Sequence, residues 1–367
     1  MTDAREMADT PPTIYDVARM AGVSIASVSR VLNGRRNPRE ETRERVLQAV
    51  AELGFVPDGA ARALSGRLKE VVGVVIRRVR WVEASEGGFA EQDESLIFTD
   101  VINRGIELAA QRQGFNLLLS SVDADDHDVS GRLLALARKS DGLILHDRVL
   151  EPDQLDELSR RVPIVTLANV PTSTTTNVHS DNSSGMRDLA RHLLADHGYR
   201  SLAYLAGLAD SPDSIIRREV LEAEAAAAGA TLESGPQWQG YYFASGGAKV
   251  INRLIAAGRE LPRAIACAND QTALGVMSAL REHGVGVPGQ VAVTGFDDIP
   301  LARHLRTTLT TVRQPIREMG RTAFDVLYSM IGGEQPPERD IVLATELIRR
   351  ESCGCPAGTG SDGEVWL

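Results

Sequence analysis

The sequence predicts a small α-helical head carrying a helix-turn-helix, followed by a larger α/β body of two parallel-sheet lobes. Three observations predict this. Near the N-terminus, two short segments with helical apolar spacing flank a single glycine. Beyond residue 70, short continuous apolar runs alternate with amphipathic segments, as strands buried on both faces do when helices connect them. The chain has 367 residues, too many for one core when domains average about 150 residues.

The head begins TIYDVARMAGVSIASVSRVLN. Ile14, Val17, Ala18 and Ala21 recur at helical spacing, and Thr13 with Asp16 forms an S/T-x-x-D capping pattern that starts a helix at Ile14. Gly22 and Val23 make a tight turn, and Ser24 caps a second helix with Val28, Val31 and Leu32 inward. Two short helices joined by such a turn suit the major groove of DNA, with the second helix inserted. Its outward face carries Ile25, Ala26, Ser29, Arg30 and Asn33. Arg30 can give two parallel hydrogen bonds to guanine, whereas Ile25 and Ala26 can only pack on thymine methyls or exclude bulk. Ile25 could equally be a core residue. A third helix, RERVLQAVAEL, ends at Gly54, and Pro57-Asp58 opens a smaller helical stretch, GAARAL.

Helix pairs joined by glycine are common in proteins that never touch DNA, so charge has to arbitrate. Residues 13–69 hold ten Lys/Arg against six Asp/Glu, while residues 70–367 hold 29 against 41. A basic head on an acidic body is what attraction to phosphates produces.

Composition excludes several classes. Apolar residues make up 43% and charged residues 25%, as in ordinary globular chains. Three cysteines, Cys267, Cys353 and Cys355, imply no disulfide framework. Cys353-Gly-Cys355 has no His or Cys nearby in sequence, and His192 and His197, five apart on an expected α-helix, should not share a face. No metal and no cofactor is therefore expected. No Walker loop, HExxH or G-x-S-x-G appears, so no catalytic residues are assigned and an enzyme is not expected. The polar, acidic lead at residues 1–12 has no secretory apolar core, and no run approaches the roughly 18–20 apolar residues a membrane span requires. The expectation is a cytoplasmic, nucleoid-associated protein with a disordered lead and a loose tail over 354–367.

In the body, VVGVVI, FNLLLSSV, GLILH, PIVTLA, SLAYLAG, AIACAN and VAVTGF read as strands. Between them lie amphipathic helices such as DVINRGIELAAQRQ, DLARHLLADHG and TALGVMSALREHG. Ligands in such sheets bind beyond the strands' carboxyl ends. Asn269-Asp270 and Asp297-Asp298 fall there, Arg217 opens a helix after SLAYLAG, Tyr241-Tyr242 precede another helix, and Phe98 lies before the first helix of the body. Arginine, asparagine and aspartate around an aromatic face suit vicinal hydroxyls. Asp270 and Asp298 read as helix-start caps.

TIYDVARMAGVSIASVSRVLNG, ETRERVLQAVAELGFVP and ARAL resemble the lactose-repressor (LacI/GalR) family of bacterial transcription regulators. RREVLEAEAAAAG, CANDQTALGVMSALREHG and TGFDDIPLARHLRTTLTTVRQP resemble that family's effector-domain segments. The resemblance implies base reading by Ile25, Ala26 and Arg30, phosphate contacts from Tyr15, Ser24, Asn33 and Thr42, and a minor-groove wedge at Leu64. It implies effector contacts at Arg217, Asn269 and Asp297, with Tyr241 as stacking aromatic. It also implies a periplasmic-binding-protein-like body whose chain crosses between lobes near His179, Val312 and Leu343. On that frame the helix-turn-helix occupies 13–57 and a hinge 58–70. The first lobe takes 71–179 and 313–342, and the second 180–312 and 343–353.

The chain also departs from the family. Arg39 stands where a small hydroxyl usually caps the third helix. Asp58-Gly59 replaces the usual residues after the hinge proline, and Ala168-Asn169 stands where an acidic residue often follows VPIV. Between VVGVVI and the helix at Asp100 lies an insertion longer than in relatives, with Trp81 and Phe89. Long loops in compact domains tend to be functional, and this one is expected to lid the cleft.

The function expected is a ligand-controlled transcription regulator, a repressor by preference. A homodimer would grip a pseudo-palindromic double-stranded operator, with a sugar between the lobes as effector. Without a leucine heptad tail, a dimer is favoured over a tetramer. The rival readings are a corepressor-dependent regulator sensing a purine or other metabolite, a sugar-binding transport receptor, and a sugar-modifying enzyme.

Overall fold

The computed structural model describes residues 12–32, 39–55, 68–78, 97–123, 126–146, 148–336 and 338–356. The chain divides between Lys69 and Glu70 into two compact units. Expectations for Asn33, the hinge with Leu64, and the insertion with Trp81 and Phe89 fall outside the described residues.

In the head, α1 (Ile14–Ala21) starts where the Asp16 carboxylate accepts bonds from the Thr13 N–H at 2.9 Å and its hydroxyl at 2.6 Å. It stops at Gly22, whose φ of 63° is left-handed backbone that glycine adopts without steric cost. Ser24 then caps α2 (Ile25–Leu32), its Oγ accepting from the Ser27 N–H at 3.2 Å. Helix α3 (Glu40–Leu53) closes the unit. Val17, Ala18, Ala21, Val28, Val46 and Ala49 form the buried centre. Arg39 at the start of α3 offers no side-chain cap, so the first amides of that helix lack the usual hydroxyl partner.

The first lobe of the body is a six-stranded sheet. Its members are β1 (Val71–Arg78), β2 (Asn116–Asp123), β3 (Gly142–His146), β4 (Ile164–Leu167), β5 (Thr176–Ser180) and β11 (Asp340–Leu343). They lie in the order β11-β5-β4-β3-β1-β2, and every neighbouring pair is parallel. Val74, Ile144 and Val165 feed an apolar layer under α4 (Ile97–Arg112) and α11 (Ile316–Ile331). Val75, Leu143 and Leu145 feed the opposite layer, under α5 (Val129–Ala137) and α6 (Pro152–Ser159). Burial on both faces explains why these strands read as unbroken apolar runs.

The second lobe repeats the design with four parallel strands. They are β6 (Ser201–Leu205), β7 (Thr231–Glu233), β8 (Ala264–Cys267) and β9 (Ala292–Thr294), in the order β7-β6-β8-β9. Helices α7 (Asn182–Arg191), α8 (Pro212–Ala227), α9 (Ala244–Ala256) and α10 (Asp270–Glu282) flank it. Among the described residues the chain passes between the sheets after β5, after β10 (Thr311–Arg313) and before β12 (Glu346–Ile348). The last two strands pair antiparallel as a ribbon of their own.

In each sheet the strand order reverses once, between β1 and β3 and between β6 and β8. Connections leave in opposite directions there and open a crevice at the carboxyl ends. These two crevices position the site described below.

Helices α4 and α11 meet backbone to backbone. A Cβ on Gly105 would lie 2.2 Å from the Arg317 carbonyl oxygen, and one on Gly320 would lie 2.2 Å from that of Ile102. Gly105→Ala should therefore force the pair apart and cost about 1–3 kcal/mol, as overpacking does. A lower urea midpoint at unchanged slope would report it; an unaltered midpoint would show that the helices can separate freely.

Candidate functional site

The outward face of α2 and the start of α1 carry exposed side chains. Tyr15 is 65% exposed and Ile25 41%, so Ile25 is a surface group and not part of the head's centre. Ala26 and Arg30 are exposed beside it, while Ser29 and Thr42 are half-buried. Arg30 rests its Nε on the Ala26 carbonyl at 3.1 Å. Ser24 is already engaged as a cap and shares a 2.9 Å hydroxyl contact with Ser27.

One head residue was not singled out from the sequence. Arg45 on α3 donates to the Ala21 carbonyl at 3.0 and 2.7 Å and to the Gly22 carbonyl at 3.1 Å. It satisfies the open end of α1 with a cation, where the helix dipole favours one. The turn of the helix-turn-helix is thus clasped from the third helix. An α3 arginine at this spacing is a surface residue by pattern, so periodicity could not reveal it.

In the body, Arg217, Asn269 and Asp297 converge at the second lobe's switch point. Arg217 lies on the second turn of α8 and does not open it, because the helix starts at Pro212. It is 2% exposed. Its guanidinium donates to Asn182 Oδ1 at 2.7 Å, to the Ala268 carbonyl at 2.6 Å and to Asp213 Oδ2 at 3.4 Å. It covers the Phe296 ring at 3.7 Å. Asn182 binds Asp213 in turn at 2.9 Å, tying the first residue after the β5 crossing into the cluster.

Asp297 adds the unsatisfied element. Its Oδ1 accepts from Gln314 Nε2 at 2.6 Å, and Gln314 also takes the Ser180 hydroxyl. Its Oδ2 is buried with no hydrogen-bond partner. Burial, reinforced by the neighbouring Asp270 carboxylate, pushes the Asp297 carboxyl well above its usual value, and Arg217 only partly opposes this. A buried acceptor left open calls for a donor.

The backbone is strained at the same place. Tyr241, Tyr242, Asp297 and Asp298 have φ of 58°, 73°, 130° and 59°, a region bulky side chains rarely occupy. Such strain gathers where a ligand is held.

Several sequence expectations need correction. Asp270 and Asp298 are not helix caps. Asn269 is the cap of α10, its Oδ1 accepting from the Thr272 N–H at 3.0 Å, while its amide donates to the Tyr242 carbonyl at 3.0 Å. Asp270 is buried and receives the Thr311 hydroxyl at 2.5 Å and the Ile299 N–H at 2.9 Å; burial raises its carboxyl to about 7. Asp298 binds Arg313 at 2.8 Å and Arg350 at 2.6 Å. Two carboxylates next to helix starts read as caps because their true partners are distant in sequence. The Tyr242 hydroxyl meets Ser211 at 2.8 Å, and its ring lies over Gly207, where a Cβ would clash. Phe98 sits in the first turn of α4 against the first lobe's core. Its neighbour Ile97 donates its N–H across to Gln271 on α10 at 2.8 Å.

The first lobe's switch point faces the same way with charge. A cavity of about 290 Å³ is lined by Arg77, Asp123, Arg148, Glu151, Gln154 and, from the second lobe, Asp210. Arg77 reaches the Asp210 carboxylate at 2.7 Å, and Arg148 reaches the Asp210 carbonyl at 3.3 Å. These bonds latch the lobes. His146, ending β3, is held neutral by burial, with its pKa lowered to about 4.

The comparisons with known proteins agree with this architecture. Residues 13–58 match the model of bacterial regulatory proteins of the lacI family, and residues 190–353 match a periplasmic binding protein-like domain. The HTH-type transcriptional repressor PurR of Vibrio parahaemolyticus is 31% identical over 345 residues, covering 93% of this chain and 98% of the relative. The chain belongs to the lacI family of bacterial regulatory proteins. It is a DNA-binding transcriptional regulator and not an enzyme. The transcriptional regulator GalS of Salmonella typhimurium is 31% identical over 349 residues, covering 93% of this chain and 96% of that one. A lac repressor dimer bound to operator and the anti-inducer ONPF superposes with a TM-score of 0.79 at 27% identity, over 94% of this chain and 99% of that one. A complex of the transcriptional regulator CelR with cellobiose gives 0.64 at 29%, over 93% and 99%. Among the described residues, no helix of this family member is long and apolar enough to cross a membrane.

Two outcomes follow from this geometry. The native Asp297 carboxyl binds its proton more tightly than in the unfolded chain, so native stability falls as pH rises from about 4 towards neutrality. Asp297→Asn lacks that slope, so its melting temperature should gain on the native protein's across that window while effector response is lost; parallel curves would remove Asp297 from the buried cluster. Asp210→Ala should loosen the latch by up to about 1 kcal/mol, the scale of a partly exposed ion pair. Small-angle scattering of the ligand-free protein should then show a larger radius of gyration, and an identical profile would mean that the latch does not hold the lobes.

Proposed function

We propose that this regulator is a homodimeric repressor of the cytoplasm whose grip on a pseudo-palindromic operator is set by a small carbohydrate held between its lobes. Each head lays Ile25, Ala26 and Arg30 along the bases, and Tyr15, Ser24 and Thr42 hold the phosphate backbone. Only Arg30 among the described reader residues has a side chain that can make a bidentate base contact.

The observation that carries the effector reading is the open Asp297 Oδ2 beside the Arg217 guanidinium. A sugar hydroxyl can pair with the Asp297 carboxyl, as donor to its oxygen or acceptor from its proton, while also accepting from a cationic donor, and neighbouring hydroxyls repeat the pairing. Closure around the sugar shifts the lobe equilibrium only if the sugar binds the two arrangements unequally. The relatives support a carbohydrate in part: the CelR structure carries cellobiose.

Arg30→Ala should cost about 1–3 kcal/mol on the operator and much less on random duplex, read by fluorescence anisotropy at fixed salt. Equal losses on both would make Arg30 a phosphate contact. In the same assay, a panel of mono- and disaccharides against purines identifies the effector class. Release of operator by a sugar supports the proposal, and tightening by a purine would replace it with corepression.

A further inference from the structure

Two pairs of side chains that the sequence keeps far apart meet at the base of the second lobe. The imidazoles of His192 and His197 and the thiols of Cys353 and Cys355 all have ligand atoms within 4.8 Å of one another. The α-helical spacing of the two histidines forbids this, and the helix avoids the problem by changing type. Residues His192–Asp196 form a π-turn, and the His197 N–H bonds to the His192 carbonyl at 3.2 Å. Five-residue closure brings His192 and His197 onto one side, their rings 4.6 Å apart and edge to face. Such turns are rare and favour functional places. The expectation that these histidines share no face, and that Cys353-Gly-Cys355 has no neighbouring ligands, is therefore overturned.

We propose that His192, His197, Cys353 and Cys355 form a four-ligand site for a thiophilic divalent cation, zinc in the first instance.

Four of the six ligand-to-ligand separations match the edges of a tetrahedron. With Zn–S near about 2.3 Å and Zn–N about 2.0–2.1 Å, tetrahedral edges are about 3.3 Å between nitrogens and about 3.6 Å between nitrogen and sulfur. His192 Nε2 lies 3.1 Å from His197 Nε2, 3.3 Å from Cys353 Sγ and 3.5 Å from Cys355 Sγ. Cys355 Sγ lies 3.5 Å from His197 Nε2.

Hydrogen bonding alone does not account for this convergence. One imidazole nitrogen donates once or accepts once, yet three polar atoms surround His192 Nε2. A cation at the centre uses all four lone pairs together.

The surroundings suit a metal as well. His192 Nδ1 meets Asp196 Oδ2 at 2.8 Å, the carboxylate–imidazole pairing that orients metal-bound histidines and raises their basicity. His197 is stacked on Tyr199 with ring centres 5.3 Å apart, and the Tyr199 hydroxyl donates to the Cys353 carbonyl at 2.7 Å. The Thr310 hydroxyl donates to Cys353 Sγ at 3.0 Å. Two thiolates and two neutral imidazoles would cancel the charge of Zn²⁺, which suits a half-buried place. Binding displaces the two thiol protons to the buffer. With four protein ligands no position is left for water or substrate, so the site is structural. It would pin the segment after β12 to the helix that follows the β5 crossing.

The test uses the full chain, purified without a polyhistidine tag. Elemental analysis after dialysis should find one zinc per chain. Cobalt exchanged for it should give the intense visible bands of tetrahedral thiolate coordination. Cys355→Ser, at a half-exposed ligand, should abolish stoichiometric metal and lower the melting temperature. Asp196→Asn should keep the fold and weaken zinc affinity about 10- to 100-fold. Should Cys355→Ser fail to fold, zinc titration of the chelated native chain still decides, by a rise in melting temperature that saturates at one equivalent. Failure of the native chain to retain or take up zinc would overturn the proposal. So would cobalt bands, or zinc stoichiometry, that survive in Cys355→Ser.

Discussion

A guanidinium withdrawn from water must be answered on every side, and the answers to Arg217 come from three separate parts of the chain. Asn182 lies just past the first crossing, Asp213 one turn earlier on α8, and the Ala268 carbonyl at the end of β8. Removing any of them would leave a buried charge short of partners, an error worth several kcal/mol. The cluster therefore fixes the start of α7, the start of α8 and the end of β8 relative to one another. Asp297 and Gln314 extend the same logic to the second crossing. The floor of the cleft is rigid for electrostatic reasons, while its roof, made by the first lobe, is held by exchangeable contacts such as Arg77 to Asp210.

That contrast explains what could be read in advance. The alternation of strands and helices is local: VVGVVI and AIACAN are apolar because both faces of their sheets are covered, and a reader of hydropathy recovers that directly. The head was legible for the same reason, since Thr13, Gly22 and Gly54 announce their helix ends within a few residues. Arg217 and Asp297 could be named because polar residues at strand ends are conspicuous. Their partners could not, because nothing in the Asn182 or Gln314 neighbourhood marks either residue as a companion of a residue far along the chain.

The misreadings share a cause. Asn269-Asp270 offers two capping residues in succession, and only the depth of the second, set by Thr311 and Ile299, decides between them. The histidine pair was judged by α-helical periodicity in a stretch that closes its turn with one residue more. In both cases local pattern marked the right stretch, and the folded structure decided within it.

The antiparallel ribbon has a mechanical meaning of its own. Two of the three links between the lobes run side by side as β10 and β12. The third is stitched to them where Thr345 donates its hydroxyl to the Asp181 carbonyl at 3.0 Å and the Asp181 N–H bonds the Leu343 carbonyl at 2.8 Å. Cords fastened together cannot twist independently. The halves are left with one easy motion, a swing about the line of the fastening, much as a book opens along its spine. Any molecule that wedges or draws the covers acts on that single coordinate, and so delivers its message without loss to sideways play.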